Sequence, residues 1–316
     1  MNNIITLTVN PAIDKSTTVD GIRPNSKLRC NIPIYEPGGG GINVSRVVQE
    51  LGGTSLCMYM AGGPTGTHLQ KQLTDLNIEQ QVIPISGWVR ENLAVTDTKN
   101  NEQYRFGMPG PIVEESEWKS ALIQLDTVLS ENDFLVASGS LCPGMPIDFF
   151  AQVSKIVKKN NAKYILDTSG EALIKGANEG VYLLKPNLGE LATLCGFEEI
   201  SYVELESVAK NFIKNNPCEI LVISMGPKGA MIVTNNEVTY IKAPIVFQKS
   251  TIGAGDSMVA GIVLALAQEK SINEAATFGV ACGTAATRTE GTQLCKKKDV
   301  DQLNNWIIEN SETSKK

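Results

Sequence analysis

Asp256 follows three small residues, Gly253, Ala254 and Gly255, and precedes an apolar helical pattern at Met258, Val259, Ile262, Val263 and Leu266. Small residues let backbone N–H groups converge with no side chain in the way. The start of a helix adds its own free N–H groups and the positive end of its dipole. Together these make an anion site, for which phosphate is the usual occupant. A carboxylate at a helix N-terminus is ordinarily a cap, but a cap needs one Asp, Ser or Thr and no Gly-Ala-Gly lead-in. Beside a phosphate cradle, Asp256 can instead take a proton from an attacking hydroxyl. The cradle meanwhile stabilises the charge that builds on a transferred phosphoryl group.

Other residues suited to chemistry lie where strands end. Gly38 to Gly41 are four consecutive glycines followed by Ile42 and Asn43, and the apolar residues Val44, Val47, Val48 and Leu51 recur at helical spacing. Such a run forms a loop that lets a ligand touch backbone, rather than a helix or strand interior. Asp14 closes the first strand region, where it either caps a turn or meets a substrate hydroxyl. Asn187 and Glu190 share one helical face, and their oxygens suit Mg²⁺ held mostly through its waters and nucleotide phosphates. The plainer alternative is an Asn-capped helix with a surface Glu. Ser224, Gly226 and Gly229 make a glycine turn at a strand end. Four cations, Lys27, Arg29, Arg90 and Arg105, fall on two half-polar segments of a chain whose net charge is −6. An Arg fork matches phosphate oxygens; a solvated edge-strand face is the alternative. Neither G-x-x-x-x-G-K-[ST] nor G-x-G-x-x-G occurs, so the usual P-loop and dinucleotide fingerprints are missing.

Strands and helices must hold these groups in place. Residues Ile4–Val9 read as a first strand, and Leu56–Met60, Gln81–Ile85, Phe134–Ala137, Lys163–Leu166, Val181–Lys185 and Ile220–Ser224 as later ones. Helical patterns over Asn43–Leu51, Glu117–Leu129, Phe149–Lys158, Ala172–Gly176, Glu204–Lys214, Met258–Glu269, Ile272–Thr287 and Val300–Glu309 alternate with them, and Ala230–Thr234 and Val238–Ile241 read as a hairpin. That alternation predicts an α/β fold with a mostly parallel sheet and helices on both faces. Residues 16–34, with a strand-like run at 27–32, and the short half-polar strands Trp88–Val95 and Gln103–Phe106 predict a small separate sheet. Gly62 to Gly66 read as a glycine-rich turn before a helix through Leu69, Leu73 and Leu76, Glu36-Pro37 as the end of the first excursion, and the tail after Asn310 as disordered.

Composition narrows the classes further. The chain has 316 residues and 42% hydrophobic content, enough for one large domain with an appendage. With 28 Lys+Arg against 34 Asp+Glu, nothing advertises a nucleic-acid or anionic-membrane partner. Seven scattered Cys with no C-x-x-C read as free thiols, and His68, the one His, excludes multi-His metal sites and argues against a Ser-His-Asp triad. The N-terminal residues lack the features of a signal peptide, and no run approaches the ~18 apolar residues of a membrane span. The expectation is a soluble, cytoplasmic protein.

The glycine run with Ile42, Asn43, Val44 and Ser45, and the stretch from Ser250 to Ile262, resemble the two signatures of the ribokinase-like (PfkB-type) carbohydrate kinases. The Asn187–Glu190 pair falls between them in the expected order. The resemblance covers nearly the whole chain. Thr6, Leu7, Thr8, Asn10, Pro11 and Asp14, with Lys27 and Arg29, are similar to its phosphosugar branch. Residues 102–106, 108–110 and 167–173 resemble the minor bacterial 6-phosphofructokinases within that branch.

This resemblance implies a ribokinase-like catalytic domain from residues 1–13, 36–86 and 111–316, with an inserted β lid from 14–35 and 87–110. It implies a homodimer through the lids. It implies ATP as donor, Mg²⁺, and a C1 hydroxyl of fructose 6-phosphate as acceptor; tagatose 6-phosphate and fructose 1-phosphate are the alternatives. Asp256 would be the base and the N–H groups of 253–256 the anion hole. Asp14, Lys27, Arg29, Gly39, Gly40, Asn43, Arg90, Arg105, Gly139 and Ser140 would meet the sugar. Lys185, Asn187, Ser224, Gly226, Pro227, Lys228, Gly229, Val280 and Thr284 would line the ATP site, with Glu190 and Asn187 helping to place Mg²⁺. A monovalent cation, K⁺, would sit near Ser250, Ile252 and Ala286. One departure is Phe247-Gln248, where smaller polar residues are expected beside the adenine.

Overall fold

The structure, a computed structural model, describes residues 2–313, with side chains to 310. The elements run β1 (Ile4–Thr8), β2 (Ala12–Val19), β3 (Ile34–Gly38), α1 (Gly40–Glu50), β4 (Leu56–Ala61), α2 (Gly63–Asp75), β5 (Glu79–Pro84), β6 (Arg90–Asp97) and β7 (Glu102–Phe106). There follow α3 (Glu115–Val128), β8 (Phe134–Ser138), α4 (Phe149–Lys159), β9 (Lys163–Asp167), α5 (Gly170–Glu179), β10 (Val181–Leu184), α6 (Leu188–Cys195), α7 (Leu205–Asn215) and β11 (Cys218–Ser224). The chain ends with β12 (Ala230–Val233), β13 (Val238–Ile241), α8 (Ala254–Ala267), α9 (Ile272–Ala286) and α10 (Lys297–Thr313).

Continuous apolar runs make strands buried on both faces, the signature of a covered parallel sheet. β1 and β8 are buried at every position. They sit inside a nine-stranded sheet of order β13-β12-β11-β10-β9-β8-β1-β4-β5. Its pairings are parallel from β11 to β5, and β12 and β13 add an antiparallel edge. One face is covered by α3 to α7, through residues such as Leu125, Phe149, Leu173, Leu191 and Phe212. The other is covered by α1, α8, α9 and α10. α8 is apolar all round and buried from Ser257 to Ala267, as a central helix must be. It meets α9 closely because Gly279 has no side chain; a Cβ there would lie 2.9 Å from the Met258 carbonyl oxygen.

A second sheet of order β3-β2-β6-β7 stands apart from the first. β2 and β6 pair in parallel, with antiparallel strands on either side. The small sheet therefore exists as expected, but its parts differ. Residues 27–32 form no strand, only an isolated bridge between Val19 and Cys30. The strand that pairs with β2 is β3, which runs straight through Glu36-Pro37; Pro37 is tolerated because β3 is an edge strand. Gly62 to Gly66 are not a free turn. Gly63 opens α2, with Pro64 preorganising its first turn. α10 continues past Asn310 to Thr313, while the expected disordered tail beyond that lies outside the described residues. No helix among the described residues is long and apolar enough to cross a membrane.

Candidate active site

The carboxyl ends of β1, β8, β9, β10 and β11 lie side by side on the sheet, where open α/β sheets bind ligands. Each end carries a polar group: Thr8, Ser138 with Gly139, Asp167, Lys185 and Ser224. The N-terminus of α8 faces them. Gly253, its N-cap, has φ +71, and a Cβ there would collide with Leu294, so only glycine makes this entry without strain. Ala254 and Gly255 follow as the first helical residues, and Gly255 lies close enough to Lys185 that a Cβ would be 3.5 Å from Nζ.

Asp256 lies in the first turn of α8, and its Oδ2 accepts a 2.8 Å bond from Asn43 Nδ2 at the start of α1. Burial pushes its carboxyl up to about 6, and the neighbouring Asp167 adds to the rise; the Asn43 bond and Lys185 oppose it. A carboxylate poised in that range is suited to general-base work near neutrality. Lys185 is itself buried and pairs with Asp167 at 3.3 Å. Burial disfavours its ammonium, but Asp167, then Glu190 and Asp256, outweigh that and hold its pKa above the usual value. Lys185 therefore stays a cation next to the α8 N-terminus, where it can meet a phosphate.

A cleft of about 470 Å³ opens beside this constellation. Lys185, Asn187, Ser224, Gly226, Pro227 and Gly229 form one wall, and Val280 and Thr284 of α9 the other. Gly226 and Gly229 both have positive φ, and a Cβ on Gly229 would collide with the Ile241 carbonyl oxygen. Lys228 does not join its neighbours; its ammonium stacks over the Tyr202 ring, 3.4 Å from the centroid. Gln248 does line the cleft, whereas Phe247 is 80% exposed. Asn187 and Glu190 form a reciprocal capping box on α6: Asn187 Oδ1 accepts from Glu190 N, and Glu190 Oε2 from Asn187 N. The plainer reading is thus present in the geometry, and it leaves Glu190 Oε1 as the oxygen turned to other use. Burial holds the Glu190 carboxyl above its ordinary range. No group of three or more His, Cys, Asp or Glu among the described residues could hold a metal alone. A cation bound here must take most of its ligands from phosphate and water.

The polyol side is built around Asn43. Gly39 has φ +114, and a Cβ on Gly40 would strike Ser138 Oγ and come within 2.9 Å of the Gly139 nitrogen. The glycine run therefore lies directly against the end of β8. Thr8 Oγ1 accepts from the Ile42 nitrogen and fixes the loop. Asp14, held by Asn92 at 2.9 Å, has its carboxyl raised by burial. Asn10 donates to Ser140 Oγ at 3.1 Å, and Asn10 Oδ1 is buried with no partner. Arg90 donates Nη1 to the Met108 carbonyl oxygen and Nη2 to that of Asn10, while its buried Nε has no partner. Two of its five N–H donors are spent on backbone, so others remain for a ligand.

The four expected cations do not form one cluster within the chain. Arg105 reaches from β7 to Thr251 Oγ1 at 3.0 Å, on the nucleotide side of the cleft. Lys27 and Arg29 are exposed on the loop between β2 and β3. Ser250 Oγ is committed to the Gly291 carbonyl oxygen, and the Ala286 carbonyl accepts from Thr289 Oγ1. Asp167, Arg46, Glu36 and Thr251 escape a reading of the sequence. Asp167 has the same signal as Asp14, an acid at a strand end. Arg46 is three residues after Asn43 on one helix, the spacing at which side chains meet.

A family model described as pfkB family carbohydrate kinase matches residues 4–299. The chain is 39% identical to ATP-dependent 6-phosphofructokinase isozyme 2 of Escherichia coli over 304 residues, which is 96% of this chain and 98% of that protein. It superposes on the crystal structure of Escherichia coli phosphofructokinase-2 with potassium at a TM-score of 0.94, with 38% identity, covering 98% of this chain and all of that one. The structure of the same bacterial enzyme with fructose-6-phosphate matches at a TM-score of 0.92 and 37% identity, with the same coverage.

Proposed function

Because the chain belongs to the pfkB family of carbohydrate kinases, we propose that it transfers the γ-phosphoryl group of ATP to the C1 hydroxyl of fructose 6-phosphate. The products are fructose 1,6-bisphosphate and ADP. The observation that carries this reading is Asp256, raised to about 6, set between Asn43 on the sugar side and the α8 N-terminus with Lys185 on the nucleotide side.

Asp256 takes the proton of the C1 hydroxyl as its oxygen bonds to the γ-phosphorus. The bond from that phosphorus to the β-bridging oxygen breaks, and ADP carries the electron pair away. The backbone N–H groups at 253–256 and the Lys185 ammonium take up the charge that builds on the phosphoryl oxygens. Asp14 and Asn43 orient the sugar hydroxyls, with Gly39, Gly40, Gly139 and Ser140 forming the floor. The Arg90 guanidinium, with N–H donors left over from its two backbone bonds, suits the 6-phosphate under the lid, along with Lys27 and Arg29. Arg105, turned to Thr251, suits the nucleotide phosphates better than the sugar. Glu190 would hold Mg²⁺ through water and Asn187 would donate to phosphate; the ion supplies charge neutralisation between the phosphates. The carbonyls of Ser250 and Ile252 would be left to hold K⁺, since that of Ala286 already accepts from Thr289.

One face of the small sheet exposes Tyr35, Tyr104 and Phe106, an apolar set that a second lid would cover. The working form is then a cytoplasmic homodimer, in line with its free thiols. A coupled ADP-release assay across fructose 6-phosphate, fructose 1-phosphate, tagatose 6-phosphate and free fructose tests the assignment. Fructose 6-phosphate should give the highest kcat/KM and free fructose a poor one. Equal use of free fructose, or preference for either other phosphosugar, overturns it.

A further inference from the structure

We propose that Arg46, held by Glu36, is a positioning residue that fixes the Asn43 amide against Asp256 and ties that geometry to lid strand β3. The inference rests on the phosphoryl-transfer reading above. Asn43 Nδ2 donates to Asp256 at 2.8 Å, and Asn43 Oδ1 accepts from Arg46 Nη1 at 3.2 Å. Arg46 Nη1 also donates to the Pro37 carbonyl oxygen at 2.8 Å, and Nη2 to Glu36 Oε1 at 2.7 Å. Glu36 Oε2 in turn accepts from Thr292 Oγ1 at 2.6 Å.

A guanidinium has donors and no acceptor, so it dictates which end of the Asn43 amide faces it. The oxygen must face Arg46, and the amino group is then delivered to Asp256. A flipped amide would set oxygen against carboxylate and N–H against guanidinium, two repulsive contacts. Glu36 and Pro37 lie on β3, so the same guanidinium that orients Asn43 grips the lid. The pair is only 12% and 14% exposed. Buried pairs contribute little net stability, and their best use is fixing one geometry out of several.

Asp256 is faced by Asp167 from β9 and Asp14 from β2, which raise its carboxyl, and by Lys185 and the Asn43 amide, which lower it. Loss of the Asn43 bond leaves the base harder to ionise. The acid limb of kcat then moves to higher pH.

The test is steady-state kinetics of the full chain with ATP and fructose 6-phosphate, for wild type, Arg46→Lys, Asn43→Ala and the double variant. Lys keeps a cation beside Glu36 but loses the planar fork that spans Asn43, Pro37 and Glu36. Arg46→Lys should lower kcat by on the order of 10- to 100-fold, leave the KM for ATP unchanged, and raise the acid limb. In the Asn43→Ala background the same change should cost less than about twofold, because Arg46 acts through Asn43. An unchanged kcat and acid limb, or a full multiplicative loss in the Asn43→Ala background, overturns the proposal. Should Arg46→Lys not fold, Glu36→Gln carries the same expected loss and the same overturning result. A wild type that turns over none of the phosphosugars refutes the kinase reading itself. An active wild type with an unchanged Arg46→Lys refutes only this one.

Discussion

In the proposed reaction, Asp256 is pulled in opposite directions. As a base it must be ionised, yet burial and Asp167 favour its neutral form. Asp256→Asn keeps size, polarity and the bond from Asn43, and should lower kcat by ~10²–10⁴ with little change in phosphosugar binding by calorimetry. The sign of the pKa shift adds a second expectation. A carboxyl whose folded pKa is raised contributes stability at low pH, and that contribution is lost as pH rises through about 6. Ionised Asp256 is thus a burden on the fold above that value. Asp256→Asn should melt higher than wild type at pH 8, by on the order of a few degrees, with the gap narrower at pH 5 and closing only below about pH 4, the ordinary carboxyl range. Wild-type kcat should rise through the same region as the base ionises. Equal melting at both pH values would show that the carboxylate is not strained. At the sugar phosphate, Arg90→Ala should cost about 1.5–3 kcal/mol in kcat/KM for fructose 6-phosphate while the KM for ATP stays put. Unaltered phosphosugar kinetics would remove Arg90 from the site.

Glycines at element ends act for two different reasons, and substitution separates them. Gly40 starts α1 in contact with the end of β8, and a Cβ there meets Ser138 and lies 2.9 Å from the Gly139 nitrogen. Gly40→Ala must push the strand end away, so it should cost about 1–3 kcal/mol of stability and raise the KM for the sugar. Gly255 has no such neighbour; an added Cβ would make ordinary contact with Lys185 at 3.5 Å. Gly255→Ala should melt like wild type and still lose turnover, because its methyl group stands between Lys185 and the anion-binding N–H groups. Thermal melts alongside kcat for the two variants check the contrast, and it fails if Gly255→Ala is the less stable of the pair.

The small sheet belongs to the scale of the whole molecule. β3, β2, β6 and β7 form a sheet with its own exposed apolar set, anchored to the main domain by Arg46 at Glu36 and by Arg105 at Thr251. An apolar set of this kind on an acidic chain calls for a cover. Sedimentation at micromolar concentration should give a dimer, and Phe106→Glu should shift it towards monomer with loss of phosphosugar turnover. A fully active monomer would rule the dimer out.

Much of this was legible in the residues alone. Parallel strands read as continuous apolar runs, helices as 3.6-residue periods, and the entry to α8 as small residues leading to an acid; each is a local pattern with a local cause. The capping box of Asn187 and Glu190 is local too, which is why its plainer reading stood beside the functional one. What the sequence could not show was which groups meet across the sheet. Asp167 beside Lys185 and Asp256, Arg46 gripping Glu36, Arg105 at Thr251 and Lys228 over Tyr202 are meetings between residues far apart in the chain or on unrelated turns. The same holds for β3, where an edge position overrode the breaking tendency of Pro37. Residue types set the chemistry available to the chain, while tertiary structure decided partners, because partnership depends on distances that only the packed sheet and helices create.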